Sequence, residues 1–450
     1  MTYICATCIE EPKLKEIVGL ESNEDNPCEY CDRDEPTVEI CFIAERCNEV
    51  FATFYEASSL TMAVVVYDHT PAGNDLSSTL SDLIGAPDEA INDISEILQS
   101  MWYDGDSGEH LYGDDPWFVL SSGGESPLSL DWEIIEASLR NEARYLNPKV
   151  ANFMDTIFGD VENDVSENGI PVLVNAGAGT HYESLYRSRV FQSEKGVLNA
   201  LEHPERFLGA PAAGIGIGGR MNAAGQPAFY GATDVKTTLA EIRPVVGSWV
   251  VSAKFSIDRP LKLLDLRLLG KMGLPQNASL FDEKTKAFVQ RRDFLRKLCS
   301  EMILPVMPER QEESYLVTQV VANYLATHLS ATIDGIIYSS VQLGGENGSA
   351  PGENVVLFFK SAITANANGD ERTAYAQLWE YELDGPGCYF SPAIAFLDVK
   401  SDPLAWKKND FDVKPTLSLL RDSIEIHEIK SVHIDSKKTS LKVGDHHFNH

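Results

Sequence analysis

Two groups of residues in this sequence have the types and spacing to do chemistry. Cys5-Ala-Thr-Cys8 and Cys28-Glu-Tyr-Cys31 are two C-x-x-C pairs with nineteen residues between them. Knuckles at that spacing can bring four thiolates to one tetrahedral zinc ion, as in a zinc ribbon. Four thiolates fill the coordination sphere, so such a metal is structural and not catalytic. The alternatives are two unrelated pairs or a redox C-x-x-C, and the second pair lacks the βαβ setting of a redox motif. Cys41 and Cys47 fall into an apolar helical pattern with Ile40, Ile43, Val50, Phe51 and Phe54 and read as core; Cys299 and Cys388 have no partner motif.

The second group lies after residue 180. In the strand-like run 185–191, a period of two places Arg187 and Arg189 on one face and Tyr186 on the other. Arg220 closes a glycine-rich run, and with the other two arginines it could converge on a diphosphate through the planar guanidinium fork. Tyr230 ends a short strand, and Glu241 follows on a helix whose buried face is Val235, Leu239 and Ile242. The competing reading has these arginines paired with surface acids and Glu241 solvated. Gly214-Ile-Gly-Ile-Gly-Gly219 satisfies G-x-G-x-x-G, but Gly225 and Pro227 interrupt the helix that a dinucleotide fingerprint requires.

The elements that must position these groups change in texture along the chain. Residues 37–57, 83–100 and about 131–160 have helical patterns, with a Gly/Asp/Ser-rich loop at 104–129 before the last. From about 170, strands are expected at 171–175, 185–191, 228–230, 247–256, 261–266, 335–338 and 354–359. Helices are expected at 233–242 (capped by Thr233), 282–302 and 313–328, with Pro305 and Pro308 beyond the second. Strands mixed irregularly with helices give an α+β class with a split sheet. The last forty or so residues alternate weakly and end in His446, His447 and His450, as a solvated tail would.

The runs Leu185-Tyr-Arg187, Gly219-Arg-Met-Asn222, Phe229-Tyr230-Gly-Ala and Leu239-Ala-Glu241-Ile-Arg-Pro244 resemble the RES domain family, named for its Arg, Glu and Ser. Asp334-Gly-Ile-Ile-Tyr338-Ser-Ser340, followed by Asn354-Val-Val-Leu-Phe-Phe359, fits the serine element, with Ser340 in better register than Ser339. The resemblance covers about residues 180–360. It implies an ADP-ribosyltransferase-like fold and an enzyme that consumes NAD by cleaving the nicotinamide–ribose bond. Cleavage would be by phosphorolysis or hydrolysis; transfer of ADP-ribose to a protein, or a silent binding module, is the alternative. It further implies Arg187, Glu241 and Ser340 as catalytic residues, with Tyr186, Tyr230, Arg220 and Arg189 binding substrate. The implied partners are NAD, inorganic phosphate and a restraining antitoxin or regulator, and a homo-oligomer is left open. The N-terminal part resembles the HEPN-like helical extension of long RES proteins at Asp131-Trp132 and Arg144-Tyr145. None of Arg33, Arg46, Arg140 or Arg144 has a His at nuclease spacing.

The chain has 450 residues, 68 acidic against 37 basic, for a net charge of −31, and 43% hydrophobic residues. Almost all the excess charge lies before residue 180, which argues against nucleic acid as a partner there. No apolar run is long enough for a membrane span and no secretory signal is visible, so a cytoplasmic protein is expected. The expected organisation is a zinc-ribbon-like segment (1–35), an acidic helical domain (36–165), a RES catalytic domain (170–400) and a C-terminal extension and tail (401–450).

Overall fold

The computed structural model describes residues 2–22, 26–31, 33–58, 71–113, 115–121, 127–142, 147–275, 278–304, 311–329, 333–342, 352–367, 372–382, 387–397, 414–433 and 438–439. Arg144-Tyr145, Pro305, Pro308 and the terminal histidines lie outside the described residues. No helix among them is long and apolar enough to cross a membrane. The chain divides into two compact units, one of Met1–Val150, Val165–Ile170 and Leu268–Glu301, the other of Ala151–Asp164, Pro171–Arg267 and Met302–His450.

The first unit is mainly helical. Helix Ile40–Phe54 buries Ile43, Cys47 and Phe51 against Ile94, Leu98 and Trp102 of helix Asp88–Trp102. The ring of Phe51 lies 4.6 Å from Phe118 and 5.5 Å from Trp102, both edge-on. Helix Leu76–Ile84 begins at Asp75, whose side chain accepts from Ser78 N, and ends at Gly85 in the left-handed conformation. The pattern at 37–57 is thus a helix flanked by two short strands, and 83–100 covers the end of one helix and most of the next. The pattern at 131–160 is also two helices, Pro127–Asn141 in this unit and Pro148–Phe158, most of which belongs to the second. Val289 packs with Val50 and Phe54, and Trp132 lies edge-on to Phe294 at 5.6 Å, so a late segment completes the core of this early unit.

The second unit is α+β, as expected, and centres on an eight-stranded mixed sheet. In chain order its strands are β1 Leu173–Ala176, β2 Ser184–Phe191, β3 Phe229–Ala232, β4 Trp249–Ile257, β5 Leu261–Asp265, β6 Gly335–Ser339, β7 Glu353–Leu357 and β8 Leu417–Glu428. The spatial order is β8-β4-β2-β3-β7-β6-β5-β1, antiparallel except for β5 beside β6. Strands β2 and β4 are paired from Ser184–Ser256 to Phe191–Trp249, whereas β2 and β3 share the single pair Tyr186–Ala232. The sheet is therefore almost parted between β2 and β3. Leu185, Phe229, Phe255, Leu263, Ile337 and Val355 form one fully buried face. Gly335 is required where β6 meets β7, since a Cβ there would lie 2.2 Å from Val356 O. Two expectations are corrected. Asp234, not Thr233, caps helix Val235–Ile242, because its carboxylate accepts from Thr237 N. Leu417–Glu428 is no solvated tail: its weak alternation is that of an edge strand on β4.

Candidate active site

Glu241 is positioned from the helix start onward. Asp234 Oδ1 accepts from Thr237 N at 2.8 Å, and its Oδ2 accepts from Thr237 Oγ1 at 2.6 Å. Thr238 Oγ1 then meets Ser188 Oγ of β2 at 2.6 Å and fixes the helix to the strand. Glu241 follows three residues later, on the same helix face as Thr238. Its Oε1 accepts two hydrogen bonds, from Ser340 Oγ and from Asn354 Nδ2, each 2.7 Å. Ser340 and Asn354 are both buried, while Glu241 itself is exposed. Ser340 is held by its own amide, which donates to Gly352 O at 2.7 Å. Ser340, not Ser339, is thus the serine bonded to the glutamate.

These residues border a cavity of about 450 Å³ whose walls include Ser188, Arg220, Tyr230, Thr238, Glu241, Arg243, Tyr315, Tyr338 and Asn354. Its size is that of a small-molecule site. Tyr230 Oη donates to Asn222 Oδ1 at 2.7 Å and accepts from Met221 N at 3.0 Å. Asn222 Nδ2 in turn donates to the carbonyls of Ile217 and Gln226, which ties the glycine loop to the strand. Gly219 has to be glycine, since a Cβ would come within 2.6 Å of Tyr230 Oη. Burial pushes the Tyr230 phenol up to about 12 and that of Tyr338 up as well. Arg220 is pinned three ways: Nη1 donates to Met302 O at 2.7 Å, its guanidinium carbon sits 5.5 Å from the Tyr315 ring centre, and its carbonyl accepts from Thr318 Oγ1.

The expected site residues are brought together only in part. Arg220, Tyr230 and Glu241 share the cavity wall and Ser340 grips Glu241 from behind, but the β2 residue on that wall is Ser188. Arg187 lies on the opposite strand face, over the buried Phe229 ring at 4.9 Å. It is 9% exposed and its Nη1 has no hydrogen-bond partner. Burial and the neighbouring Arg189 push its pKa down to about 9, and burial lowers that of Arg189 too. Tyr186 shares the Ser188 face by alternation, yet its ring is occupied by Lys254 Nζ at 5.4 Å. Sequence reasoning missed Ser188, Thr238, Arg243, Tyr315 and Asn354. The period of two that singled out Arg187 would have found Ser188 had the other parity been followed.

The arginines differ from most others in the chain. Arg46, Arg140, Arg259, Arg267, Arg292, Arg372 and Arg421 all reach a carboxylate. Arg187, Arg189, Arg220 and Arg243 meet none among the described residues. The reading in which these arginines pair with surface acids is therefore set aside.

The four cysteines converge separately, in the first unit. Cys5 ends strand Tyr3–Cys5, which pairs with Thr37–Glu39, and Cys8 ends the 3-10 turn Ala6–Cys8. Sulfur–sulfur distances are 3.7 Å for Cys5–Cys8, 3.6 Å for Cys5–Cys31 and 3.8 Å for Cys8–Cys28, and all four sulfurs lie within 4.8 Å of one another. Zinc–sulfur bonds of about 2.3 Å in a tetrahedron require sulfurs about 3.8 Å apart, so the cluster fits a structural zinc ion. The pairs are not unrelated.

No curated protein and no solved structure matches the chain. The family model of the RES domain matches residues 185–384, a stretch that contains every wall residue of the cavity. Residues 185–384 of this chain are a RES domain.

Proposed function

We propose that the chain consumes NAD by cleaving the bond between nicotinamide and ribose, with inorganic phosphate as acceptor ahead of water. The observation that carries this reading is Glu241, a carboxylate open to a cavity of about 450 Å³ with one oxygen held by two buried donors, Ser340 and Asn354. Positive charge develops on the ribosyl carbon as the bond breaks, and a fixed carboxylate stabilises it. Nicotinamide leaves with the bonding pair and becomes neutral, so no acid is needed to protonate it. Tyr230, Tyr315 and Tyr338 supply aromatic surface against which a cationic ring can stack.

Arg220 and Arg243 line the cavity and meet no carboxylate among the described residues, which supports an anionic ligand, and Arg220 is already oriented on the wall. Arg187 is left out of this assignment, because its guanidinium lies over buried Phe229 on the strand face away from the cavity wall, beside the near-parting of β2 and β3. That near-parting also supports an ADP-ribosyltransferase-like split sheet. Ser340 acts through Glu241, and the four cysteines hold zinc for stability alone. The test is to incubate the purified protein with NAD, with and without phosphate, and to weigh the products. ADP-ribose-1″-phosphate or ADP-ribose is expected; a mass increase on protein selects transfer, and intact NAD overturns the reading.

A further inference from the structure

We infer that Arg243 binds a phosphate oxyanion and holds the acceptor of the reaction, while Arg220 serves the dinucleotide. The inference rests on the NAD reading above for its chemistry, but its observations are separate.

The first is backbone. Helix Val235–Ile242 ends at Arg243 with φ 45° and ψ 60°, a left-handed conformation that usually falls to glycine or asparagine at a helix C-terminus. Pro244 follows, and its ring drives the preceding residue toward extended backbone, which Arg243 does not adopt. Among the described residues Asn366 alone shares a positive φ without being glycine, and asparagine tolerates it. An arginine kept in such a conformation at a cavity wall points to a role for its side chain.

The second is charge. Arg243 lines the cavity two residues after Glu241, is exposed, and has no ion pair among the described residues, in a chain with 68 acidic side chains. With Arg220 it gives the lining two arginines against the single acidic residue, Glu241. The third is the contrast between the two arginines. Arg220 is locked by Met302 O and Tyr315, as suits a residue that receives a large substrate in one pose. Arg243 has no such lock among the described residues and is exposed, as suits a small co-substrate that must enter and leave.

In the step so assisted, an oxygen of hydrogenphosphate forms a bond to the ribosyl carbon while the bond from that carbon to the nicotinamide nitrogen breaks. Nicotinamide takes the bonding pair, the phosphate becomes a monoester, and nothing is oxidised or reduced. Arg243 offers N–H donors to the non-bridging oxygens of the acceptor and offsets its charge as it approaches Glu241.

The full-length protein and its R243Q, R243G and R243K variants test this. KM for inorganic phosphate should rise about tenfold or more in R243Q and R243G, the loss of one charge-assisted contact, and less in R243K. Product should shift from ADP-ribose-1″-phosphate to ADP-ribose, with KM for NAD within about twofold of the parent. R243G removes the cation and relieves the backbone, so it should melt no lower than the parent, which separates charge from strain. A rise in KM for NAD with KM for phosphate unchanged would overturn the assignment. Calorimetric titration with inorganic phosphate alone gives a readout without turnover: binding that is lost in R243G sustains the site even if the chain cleaves no NAD. NAD cleavage that ignores phosphate, with no phosphate binding, sinks this inference and leaves the NAD reading standing.

Discussion

The cysteine cluster draws its four ligands from residues 5–31, whereas the cavity draws its walls from Ser188 to Asn354. The first is a local structure: two knuckles, one short strand pair, and sulfurs already at zinc-binding separation. The second is assembled by tertiary folding, from a glycine loop, a helix, and strands that neighbour one another in space and not in sequence. Metal ligands need only reach one point, so short spacing suffices. A cavity needs walls, and walls come from distant segments. Under the proposed function, stability falls to the first region and chemistry to the second.

The largest expected effect is on the cysteine side. Replacing Cys8 with Ser, or stripping metal with a chelator, should lose one zinc per chain and unfold the region around it. Structural zinc sites contribute on the order of 10 kcal/mol, more than most domains hold in reserve. Elemental analysis and melting curves read this out; a variant that keeps its melting temperature while losing NAD cleavage would break the division of labour. E241Q is the mirror experiment. It should lower the rate of NAD loss by about 10²–10³-fold, the scale seen when a charge-stabilising group is removed. Its melting temperature should hold, since Glu241 is exposed.

A smaller effect is expected of N354A and S340A, each of which frees Oε1 of one hydrogen bond. Each should slow turnover by about tenfold with KM for NAD little changed, and N354A should also cost about 1–2 kcal/mol of stability. A rise in KM alone would move these residues from positioning Glu241 to contacting substrate. The smallest effect concerns pH. Tyr230 has its phenol raised to about 12 in the folded chain, against about 10 when unfolded. A raised folded pKa gives stability that is fully present below pH about 10 and is lost as pH rises through about 12. Y230F should therefore flatten the alkaline fall in melting temperature, and an unchanged slope would sharpen attention on Tyr338, which is also raised.

The sequence was most legible where the physics is local. Paired cysteines, apolar periodicity and turn residues located the knuckles, most strands and helices, and Glu241 on its helix. Asn354 was read only as the first residue of a strand, and only the register of β6 beside β7 brings it to Glu241. Tyr315 looks like an ordinary apolar helix position until Arg220 arrives from ninety-odd residues away. The alternation of β2 was legible, but which face the cavity would use was not, since that depends on where β3 and the helix Val235–Ile242 settle. Leu417–Glu428 was misjudged because an edge strand needs only half a hydrophobic pattern.

One feature of the fold bears on how the chain is made. The first unit is completed by residues 268–301, which emerge long after residue 150. At synthesis rates of about 5–20 residues per second, its early helices wait about 8–30 s on the ribosome for the segment that fills their core. Through that interval Val50 and Phe54 lack Val289, their late partner. Early arrest of translation would strand the first unit unfinished, and a clean cut at residue 165 would orphan 268–301 in the same way. The two units are made interleaved, and birth order couples them.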